Sequence, residues 1–401
     1  MSGPVFPVLR HPTAPLGGRI LTPFFKFLVA LVLVACGALA VRFLQGLGAA
    51  TAMSDGYGFG LWIAFDVVVG TAVGCGGYSM AILVYVANKG QYHPLVRPAM
   101  LTGALGYTFA GASIFIDIGR YWSIWKIPLF APSWNGSSAL LEVALCVMAY
   151  IIVLWFEFSP AVLEGWRNGR NAFLRGVAES WAPRLDKAMP WIIALGLLLP
   201  TMHQSSLGTV MLLPASKVHG LWLTSFLPLL FLVNAVFLGY GAVIAEATIS
   251  AFGFKRPRET ALLASMGPWI AALLLLFTGL RIVDILVRGK FGLAFLPTRF
   301  AFFFWLETVL AVAPALMLLG ARARASTAGL FRAGLLILAA GILYRFDTYL
   351  VAYDPGPAWT YFPSLGEMAI SLGLVAGEIM IYVYAVKKFP VLSAAPAAAS
   401  R

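Results

Sequence analysis

The feature that most constrains this chain is a series of long apolar stretches, each about the length needed to cross a lipid bilayer. A spanning helix requires about 20 mainly apolar residues, and reading along the chain gives about ten such stretches. Their approximate cores are residues 24–44, 62–85, 98–118, 138–158, 188–203, 222–246, 262–283, 300–319, 330–350 and 367–386.

Composition excludes an ordinary soluble protein, because only 11% of the residues are charged and 61% are hydrophobic. Soluble domains carry about 25% charged residues. We predict an all-α polytopic membrane protein in a single integral membrane domain. It is expected to form two four-helix bundles, residues 62–206 and 222–350, with peripheral helices.

Three irregular segments interrupt this pattern. The fifth stretch runs into Pro200, and we expect it to break near Thr201. The longest polar segment, residues 159–188, predicts a loop with one amphipathic surface helix. The Ala-rich tail, residues 390–401, is expected to be disordered.

The net charge of +12 arises from basic residues whose distribution indicates membrane topology rather than nucleic-acid binding. If the N-terminus is cytoplasmic, 19 of the 28 lysines and arginines lie on the cytoplasmic side. Such a bias is typical of cytoplasmic loops, so we predict that both termini are cytoplasmic. The first stretch ends in Ala38-Leu39-Ala40, which is similar to a signal-peptide cleavage site, but its length and charged lead favour a membrane helix.

Cysteine and histidine usage argues against a bound metal cofactor. Cys36, Cys75 and Cys146 lie singly in separate predicted helices, so an iron–sulfur cluster has no ligand set. A membrane b-type haem normally needs two histidines on facing helices. Of the four histidines, His203 alone is near membrane depth, so we expect no haem and no metal.

Ionisable side chains lie near the ends of several predicted helices, where a bilayer should exclude them. A charged group at membrane depth costs roughly 2.5–3.5 kcal/mol even on a lenient scale, so such residues often mark a proton or ligand route. Asp117 and Arg120 are three residues apart and can pair on one helix face. Five such residues share one predicted face of the membrane, namely Asp66, Asp117, Arg120, Glu142 and His203.

Five short strings carry a family resemblance. They resemble the integral membrane subunit of periplasmic, Hyb-type [NiFe]-hydrogenases, within the family of NrfD and polysulfide-reductase membrane anchors, and the similarity runs over most of the chain. The strings are GLWIAFD at 60–66, QYHPLVRP at 91–98, IDIGRYW at 116–122, LPTMHQSS at 199–206 and YFP at 361–363.

The resemblance implies a function in electron transfer. Members of this family hold no haem and exchange electrons between a periplasmic partner and the quinone of the bacterial inner membrane, menaquinone or ubiquinone. The partner implied is a ferredoxin-like iron–sulfur subunit joined to catalytic oxidoreductase subunits. A quinone site is implied near the periplasmic ends of helices two to five, where the polar residues converge.

Quinone reduction takes two electrons and two protons, which the polar residues can supply. His203 can donate or relay a proton, because imidazole titrates near neutrality. Asp66, Asp117 and Glu142 are candidate proton donors, since a desolvated carboxyl group favours its protonated form. The alternatives are that Asp117 and Arg120 form a structural pair and that His203 caps a broken helix.

Aromatic and amide side chains complete the predicted quinone site. Trp62, Tyr121 and Trp122 can hold the ring between them, and Gln204 is a further candidate contact. The alternative for these aromatic residues, and for Trp134, is an ordinary interfacial belt.

A second set of carboxyl groups suggests a proton route across the membrane. Glu157, Glu246 and Glu378 lie toward the inner ends of helices four, six and ten, and Glu307 and Asp347 toward the outer side. The alternative, for Glu157 and Glu246, is that they are interfacial carboxylates in contact with water, whereas Glu378 lies deeper.

Two further function classes remain open from the sequence. The same module can serve a multihaem cytochrome or a molybdopterin oxidoreductase in place of a hydrogenase. A proton-coupled transporter also has ionisable groups in interrupted helices, although it would favour midplane sites and an inverted repeat.

Overall fold

The structure, a computed structural model, describes residues 13–393. Within this range ten helices are long and apolar enough to cross a membrane, which confirms the predicted all-α polytopic fold. We number these helices α1 to α10. They are Pro23–Gln45, Trp62–Val86, Gly90–Asp117, Ala139–Arg167, Ala172–Val210, Leu227–Gly253, Thr260–Val287, Arg299–Leu319, Thr327–Val351 and Leu365–Lys388.

The connections between the helices lie on two faces, because successive spans cross in opposite directions. We call the side on which α1 ends the distal face and the opposite side the proximal face. The predicted topology makes the distal face periplasmic. The distal connections are residues 46–61, 118–138, 211–226, 288–298 and 352–364.

Helix α6 is the centre of the molecule and packs on α2, α5 and α9. Helices α1 and α10 pack on each other outside this centre, and α10 also contacts α2 and α3. The side of α10 that faces α2 and α3 therefore faces the first of the two predicted bundles.

Glycines on α3 and α6 let these two helices approach the backbone of α2 closely. A Cβ added at Gly103 of α3 would lie 2.7 Å from the carbonyl oxygen of Gly74, and one at Gly239 of α6 would lie 2.6 Å from that of Cys75. Such contacts are typical of helix pairs in membranes, where close packing replaces the hydrophobic effect.

Helix α5 is continuous, so the predicted break near Thr201 is wrong. It spans 39 residues with Pro183, Pro190 and Pro200 inside it. Pro200 has no N–H to donate to the Gly196 carbonyl four residues before it. Prolines are nevertheless tolerated in membrane helices, where neighbouring helices, hydroxyl side chains and small adjustments of the backbone satisfy the freed groups.

Two other predicted irregular segments differ from the structure. Residues 159–188 belong mostly to α4 and α5, which are joined by a short turn, so this segment is no long loop. Residues 390–393 begin the predicted disordered tail but are packed, with Val391 and Leu392 buried and the Ser393 hydroxyl donating to Glu259 at 2.6 Å. Residues 394–401 lie outside the described range.

A fully buried arginine joins the two halves of the protein. Arg345 of α9 donates to the Asn234 side chain of α6 at 2.6 Å, to the Phe231 carbonyl at 2.6 Å and to the Val68 carbonyl of α2 at 2.9 Å. Its guanidinium carbon also lies 4.8 Å from the centre of the Phe231 ring. These contacts fix α2, α6 and α9 relative to one another.

Replacing Arg345 with methionine is expected to destabilise the protein. Methionine keeps a similar volume but removes the donor to three buried acceptors, and a buried acceptor left without a partner, such as the Asn234 side-chain oxygen, costs about 1–3 kcal/mol. Thermal unfolding in detergent measures the effect, with Arg332→Met on the exposed side of α9 as the matched control. Equal unfolding temperatures for the two variants would show that the Arg345 contacts do not stabilise the fold.

Candidate functional site

The distal ends of α2 and α10 are joined through a buried carboxyl group. Asp66 is 7% exposed, and its Oδ2 accepts a hydrogen bond from the Ser371 hydroxyl at 2.6 Å. Asp66 therefore lies inside the protein beside α10, a helix that the sequence did not associate with this residue.

The first turn of α10 carries a second buried carboxyl group. Glu367 accepts from the Ser364 amide at 2.9 Å, the Ala52 amide at 2.9 Å and the Tyr361 hydroxyl at 2.5 Å. Burial, and then the neighbouring Glu367, raise the pKa of Tyr361, which keeps its hydroxyl protonated. The Trp62 indole donates to the Glu367 carbonyl at 3.3 Å.

Sequence reasoning missed Glu367, although a signal was present. Ser364 and Glu367 form a capping box, the S-x-x-E pattern that marks a helix start. The Tyr361-Phe362-Pro363 string directly precedes it. The structure thus explains this string through a hydrogen bond from Tyr361 to a buried carboxylate.

The predicted pairing of Asp117 with Arg120 is not formed, since no ion pair joins them among the residues described. Helix α3 ends at Asp117, so Arg120 is off the helix, and its side chain is exposed. Arg42 of α1 takes its place at the helix end, donating to the Ile116 carbonyl at 2.6 Å and the Ile118 carbonyl at 2.9 Å. Asp117 Oδ1 is buried and has no hydrogen-bond partner in the protein.

The predicted aromatic residues differ in how deeply they are buried. Trp62 is 1% exposed and belongs to the Glu367 cluster, whereas Trp122 is 62% exposed. Tyr121 is half-buried, edge-on to Phe43 with ring centres 4.8 Å apart. Trp122 and Trp134 thus have the exposure expected of interfacial aromatic residues.

His203 and Gln204 form a separate polar cluster, deeper in the α2–α5 bundle. Gln204 donates to the Tyr107 hydroxyl at 2.9 Å and to Thr71 at 3.2 Å. His203 is fully buried, and its ring lies edge-on to Tyr107 at 5.6 Å. Neither His203 nitrogen has a hydrogen-bond partner in the protein. Glu142, half-buried in the first turn of α4, forms no described hydrogen bond or ion pair with this cluster.

Part of the predicted proton-route set lies along one side of α10. Residues 367, 371, 378 and 382 are four, seven and four apart, a spacing that keeps them on one face. The Glu378 carboxyl lies beside Gly106 of α3, and the Tyr382 hydroxyl donates to Glu246 of α6. This polar stripe leads from the distal end of α10 toward the proximal face.

The other predicted carboxyl groups lie elsewhere. Glu157 packs against Gly196 in the α4–α5 hairpin. Glu307 of α8 pairs with Arg281 of α7 at 2.6 Å and accepts from the Trp222 indole at 3.1 Å, and Asp347 of α9 is fully buried. Glu307 and Asp347 are on helices of the second predicted bundle and do not belong to the α10 stripe.

A b-type haem does not fit the described histidines. His203 is on α5, His93 is in the 3-10 turn that begins α3 at the proximal face, and His219 is in a distal connection, where it stacks on Phe300 with ring centres 4.1 Å apart. These positions do not supply two ligands on facing helices. Residues 13–393 also contain no group of three His, Cys, Asp or Glu side chains that could hold a metal ion.

Known proteins similar to this chain include a hydrogenase subunit and subunits of two reductases. A protein of Escherichia coli K12 named "Probable Ni/Fe-hydrogenase 2 b-type cytochrome subunit" is 38% identical over 391 residues, 96% of each chain. The "Menaquinone reductase, integral membrane subunit" of Nitratidesulfovibrio vulgaris is 34% identical over 164 residues, 41% of this chain and 37% of that one. A selenate reductase subunit of Mesobacillus selenatarsenatis is 23% identical over 412 residues, 92% and 94% of the two chains.

The family follows from a match over most of the membrane region. Residues 49–352, which include α2 to α9, match the family described as "Polysulphide reductase, NrfD". Together with ten membrane-spanning helices and the near full-length similarity to a hydrogenase membrane subunit, this match identifies the chain as a member of the NrfD family of integral membrane subunits.

Proposed function

We propose that this chain is the quinone-reactive membrane subunit of a respiratory oxidoreductase. It passes electrons between an iron–sulfur partner docked on the distal, periplasmic face and the quinone of the bacterial inner membrane. The quinone head group binds in the α2–α5 bundle, close to His203 and the distal carboxyl groups.

The observation that carries this proposal is the fully buried His203 imidazole without a hydrogen-bond partner. Buried polar groups are nearly always paired, so an unpaired group calls for an absent partner. Gln204 Oε1 and Asp117 Oδ1 in the same bundle are also buried and unpaired. A quinone accepts hydrogen bonds at its two carbonyl oxygens, and a quinol donates them from its two hydroxyl groups. Either form therefore supplies partners for such groups.

The names of the relatives support quinone as the substrate class and a hydrogenase as the partner. One relative is named a menaquinone reductase subunit and another a hydrogenase subunit. Identity to the hydrogenase subunit is 38% over 96% of the chain, compared with 23% for the selenate reductase subunit. None of these names indicates a transporter.

The residues of this chain act on protons and on orientation. Two electrons come from the partner's cluster, and two protons must reach the two carbonyl oxygens of the quinone to complete the quinol. His203 and Gln204 orient the quinone by hydrogen bonds to these oxygens, while Asp66 and Asp117 deliver protons. Arg42 holds the end of α3 so that the Asp117 carboxyl stays inside the protein.

The stripe on α10 connects the distal carboxyl groups to the proximal side. Ser371, which donates to Asp66, is seven residues from Glu378, about 10 Å along the helix, and Tyr382 is one turn further on. A gap of this length requires a chain of several bound waters between the polar groups. We propose that protons enter at Glu246, pass Tyr382 and Glu378, and reach Asp66.

Photolabelling of the purified complex tests the quinone site. A photoreactive ubiquinone or menaquinone analogue should label peptides of α3 and α5 around Asp117 and His203, and excess natural quinone should compete. Labelling restricted to α7–α9 would place the quinone in the second bundle and overturn the proposed site.

The purified protein is expected to carry no haem. The reason is geometric, since His203 has no facing histidine among the described residues. Reduced-minus-oxidised visible spectra decide this point. A reduced α-band whose intensity corresponds to one haem per protein would contradict the expected absence of haem. It would support the cytochrome name of the E. coli relative.

The charge distribution predicts which face is periplasmic. Single cysteines at Asn135, on the distal face, and at Arg258, on the proximal face, both replace exposed residues. An impermeant thiol reagent applied to intact spheroplasts should label position 135 and leave position 258 unlabelled until the membrane is broken. The reverse pattern would invert the proposed topology.

A further inference from the structure

The distal face contains an open groove of about 870 Å³ that the quinone reaction does not use. It lies between the connections 211–226 and 352–364, and Phe303 of α8 and Phe346 of α9 contribute to its lining. Its volume falls in the range of about 300–1,000 Å³ that is usual for binding clefts. We call it the distal groove.

One wall of the distal groove is held by the buried charges of the second bundle. The connection 211–226 is fixed by the Trp222 indole on Glu307 at 3.1 Å, by the Thr224 hydroxyl on Asp284 at 2.8 Å, and by Arg288 on the Gly220 carbonyl at 2.9 Å. Glu307 is itself paired with Arg281. These contacts give the Arg281–Glu307 pair a positioning role.

The opposite wall is fixed to the first wall and to the Glu367 cluster. Val218 and Tyr353 form an antiparallel bridge, in which the His219 amide donates to the Ala352 carbonyl at 2.8 Å. Tyr361 lines the groove and donates to Glu367, so the groove borders the polar cluster at the start of α10. Both walls are therefore preformed.

The rim of the distal groove is basic. Lys217 and Arg299 line it with exposed side chains, and neither forms an ion pair within the described residues. Asp354 is the one carboxylate in the described lining. Burial lowers the pKa of His219, so this rim charge at neutral pH comes from Lys217 and Arg299.

The distal face as a whole carries a net positive charge. Its exposed charged side chains are predominantly basic, which favours an acidic binding partner through charge complementarity. The basic ones are Arg120, Lys126, Lys217, Lys290 and Arg299, and the acidic ones are Asp55 and Asp354.

We propose that the distal groove receives an acidic, partly aromatic segment of the iron–sulfur partner subunit. This inference rests on the proposed function, because it requires an electron donor on the distal face. The aromatic lining, including Trp359 and Phe362, suits apolar anchors, and the rim suits carboxylates. A segment in the groove would touch Tyr361 and so lie beside the Glu367 and Trp62 end of the quinone bundle.

Site-specific photo-cross-linking in native membranes tests the occupant. Benzoylphenylalanine replaces Phe362, which lines the groove and is 77% exposed, or Phe295, a distal control that does not line it and is 65% exposed. Position 362 should cross-link to an acidic segment of the cysteine-rich iron–sulfur subunit, identified by mass spectrometry. Products with lipid, quinone or a second copy of the chain alone, or equal partner products from position 295, would overturn the proposal.

Charge reversal separates the groove from the rest of the distal face. Lys217→Glu with Arg299→Glu should lower the fraction of iron–sulfur subunit retained on the tagged chain at least about fivefold at physiological salt, since rim charges act through screened attraction. Lys126→Glu with Lys290→Glu, an equal charge change outside the groove, should have a much smaller effect. Equal losses from the two pairs would contradict the proposal.

An uncharged variant completes the test and separates this inference from the proposed quinone site. Thr360→Trp narrows the groove without changing its charge and should also weaken partner retention. Asp117→Asn and His203→Leu should leave partner retention unchanged. Normal quinone reduction in those two variants would remove the proposed quinone site while leaving a groove cross-link valid, so the two ideas fail separately.

Discussion

His203→Leu is expected to lower electron transfer from hydrogen to quinone about 10²–10⁴-fold, the usual cost of losing an acid or base group. Hydrogen oxidation by a soluble dye should be spared, because the proposed hydrogenase partner, and not this chain, would carry the hydrogen-activating site. Leucine nearly preserves the apolar volume of the buried imidazole and removes both nitrogens. Asp117→Asn should also lower electron transfer to quinone, because it replaces a carboxyl group that can carry a proton with an amide of nearly the same size that cannot.

The decisive quantity is quinone reduction divided by dye reduction in the same membranes. This ratio distinguishes a reacting group from a structural one, since a structural defect lowers the amount of assembled complex and reduces both activities together. Tyr344→Phe is a matched control. Tyr344 is fully buried in α9 and its hydroxyl also has no partner, but it lies in the second bundle. If His203→Leu and Asp117→Asn both keep the ratio within about threefold of the control, neither residue carries protons for the quinone.

The membrane fold could be predicted from the sequence because hydrophobic length is a local property. Each span is visible as a stretch of apolar residues, and nothing outside the stretch is needed to recognise it. The error at Thr201 arose from a rule for soluble helices. In a membrane helix the backbone groups that a proline frees are satisfied locally or by neighbouring helices, and α5 continues past Pro200.

The candidate site was predicted only in part, because its partners come from distant parts of the chain. Asp66 and Asp117 were found as charges near membrane depth. Their neighbours Ser371 and Arg42 are far away in the sequence and are brought to them only by the packing of α10 and α1. The Asp117–Arg120 pairing assumed that α3 continues beyond Asp117, and it does not. Spacing rules apply only within an element, so an error of one turn at a helix end removed the predicted pair.

Helix α10 illustrates the same limit for the proton route. Its sequence shows Glu367, Glu378 and Tyr382, but periodicity alone does not say which neighbour faces them. The packing of α10 against α2 and α3 brings Ser371 to Asp66, and the Tyr382 hydroxyl reaches Glu246 of α6. A buried carboxyl group thus has a different role according to its neighbours, as Glu307 shows by holding Trp222 instead.

Tyr382→Phe is expected to abolish most of the membrane potential that hydrogen-to-quinone turnover generates. The phenol hydroxyl contacts Glu246, and its loss should interrupt proton entry from the proximal side. Glu246→Gln should have the same effect, because an amide cannot carry the proton. With the complex in proteoliposomes, the initial rate of potential formation should fall at least about tenfold together with the rate of quinone reduction, in line with the cost of losing a proton-transfer group.

Tyr384→Phe is the matched control for this prediction. It makes the same chemical change two residues along α10, but Tyr384 is 47% exposed and lies off the Glu367–Tyr382 stripe. A route through α10 requires the Tyr382 and Tyr384 variants to differ. If protons instead enter from the distal face, all variants would reduce quinone and form the potential at the same rate, because the proximal half of α10 would then carry none of the protons that complete the quinol.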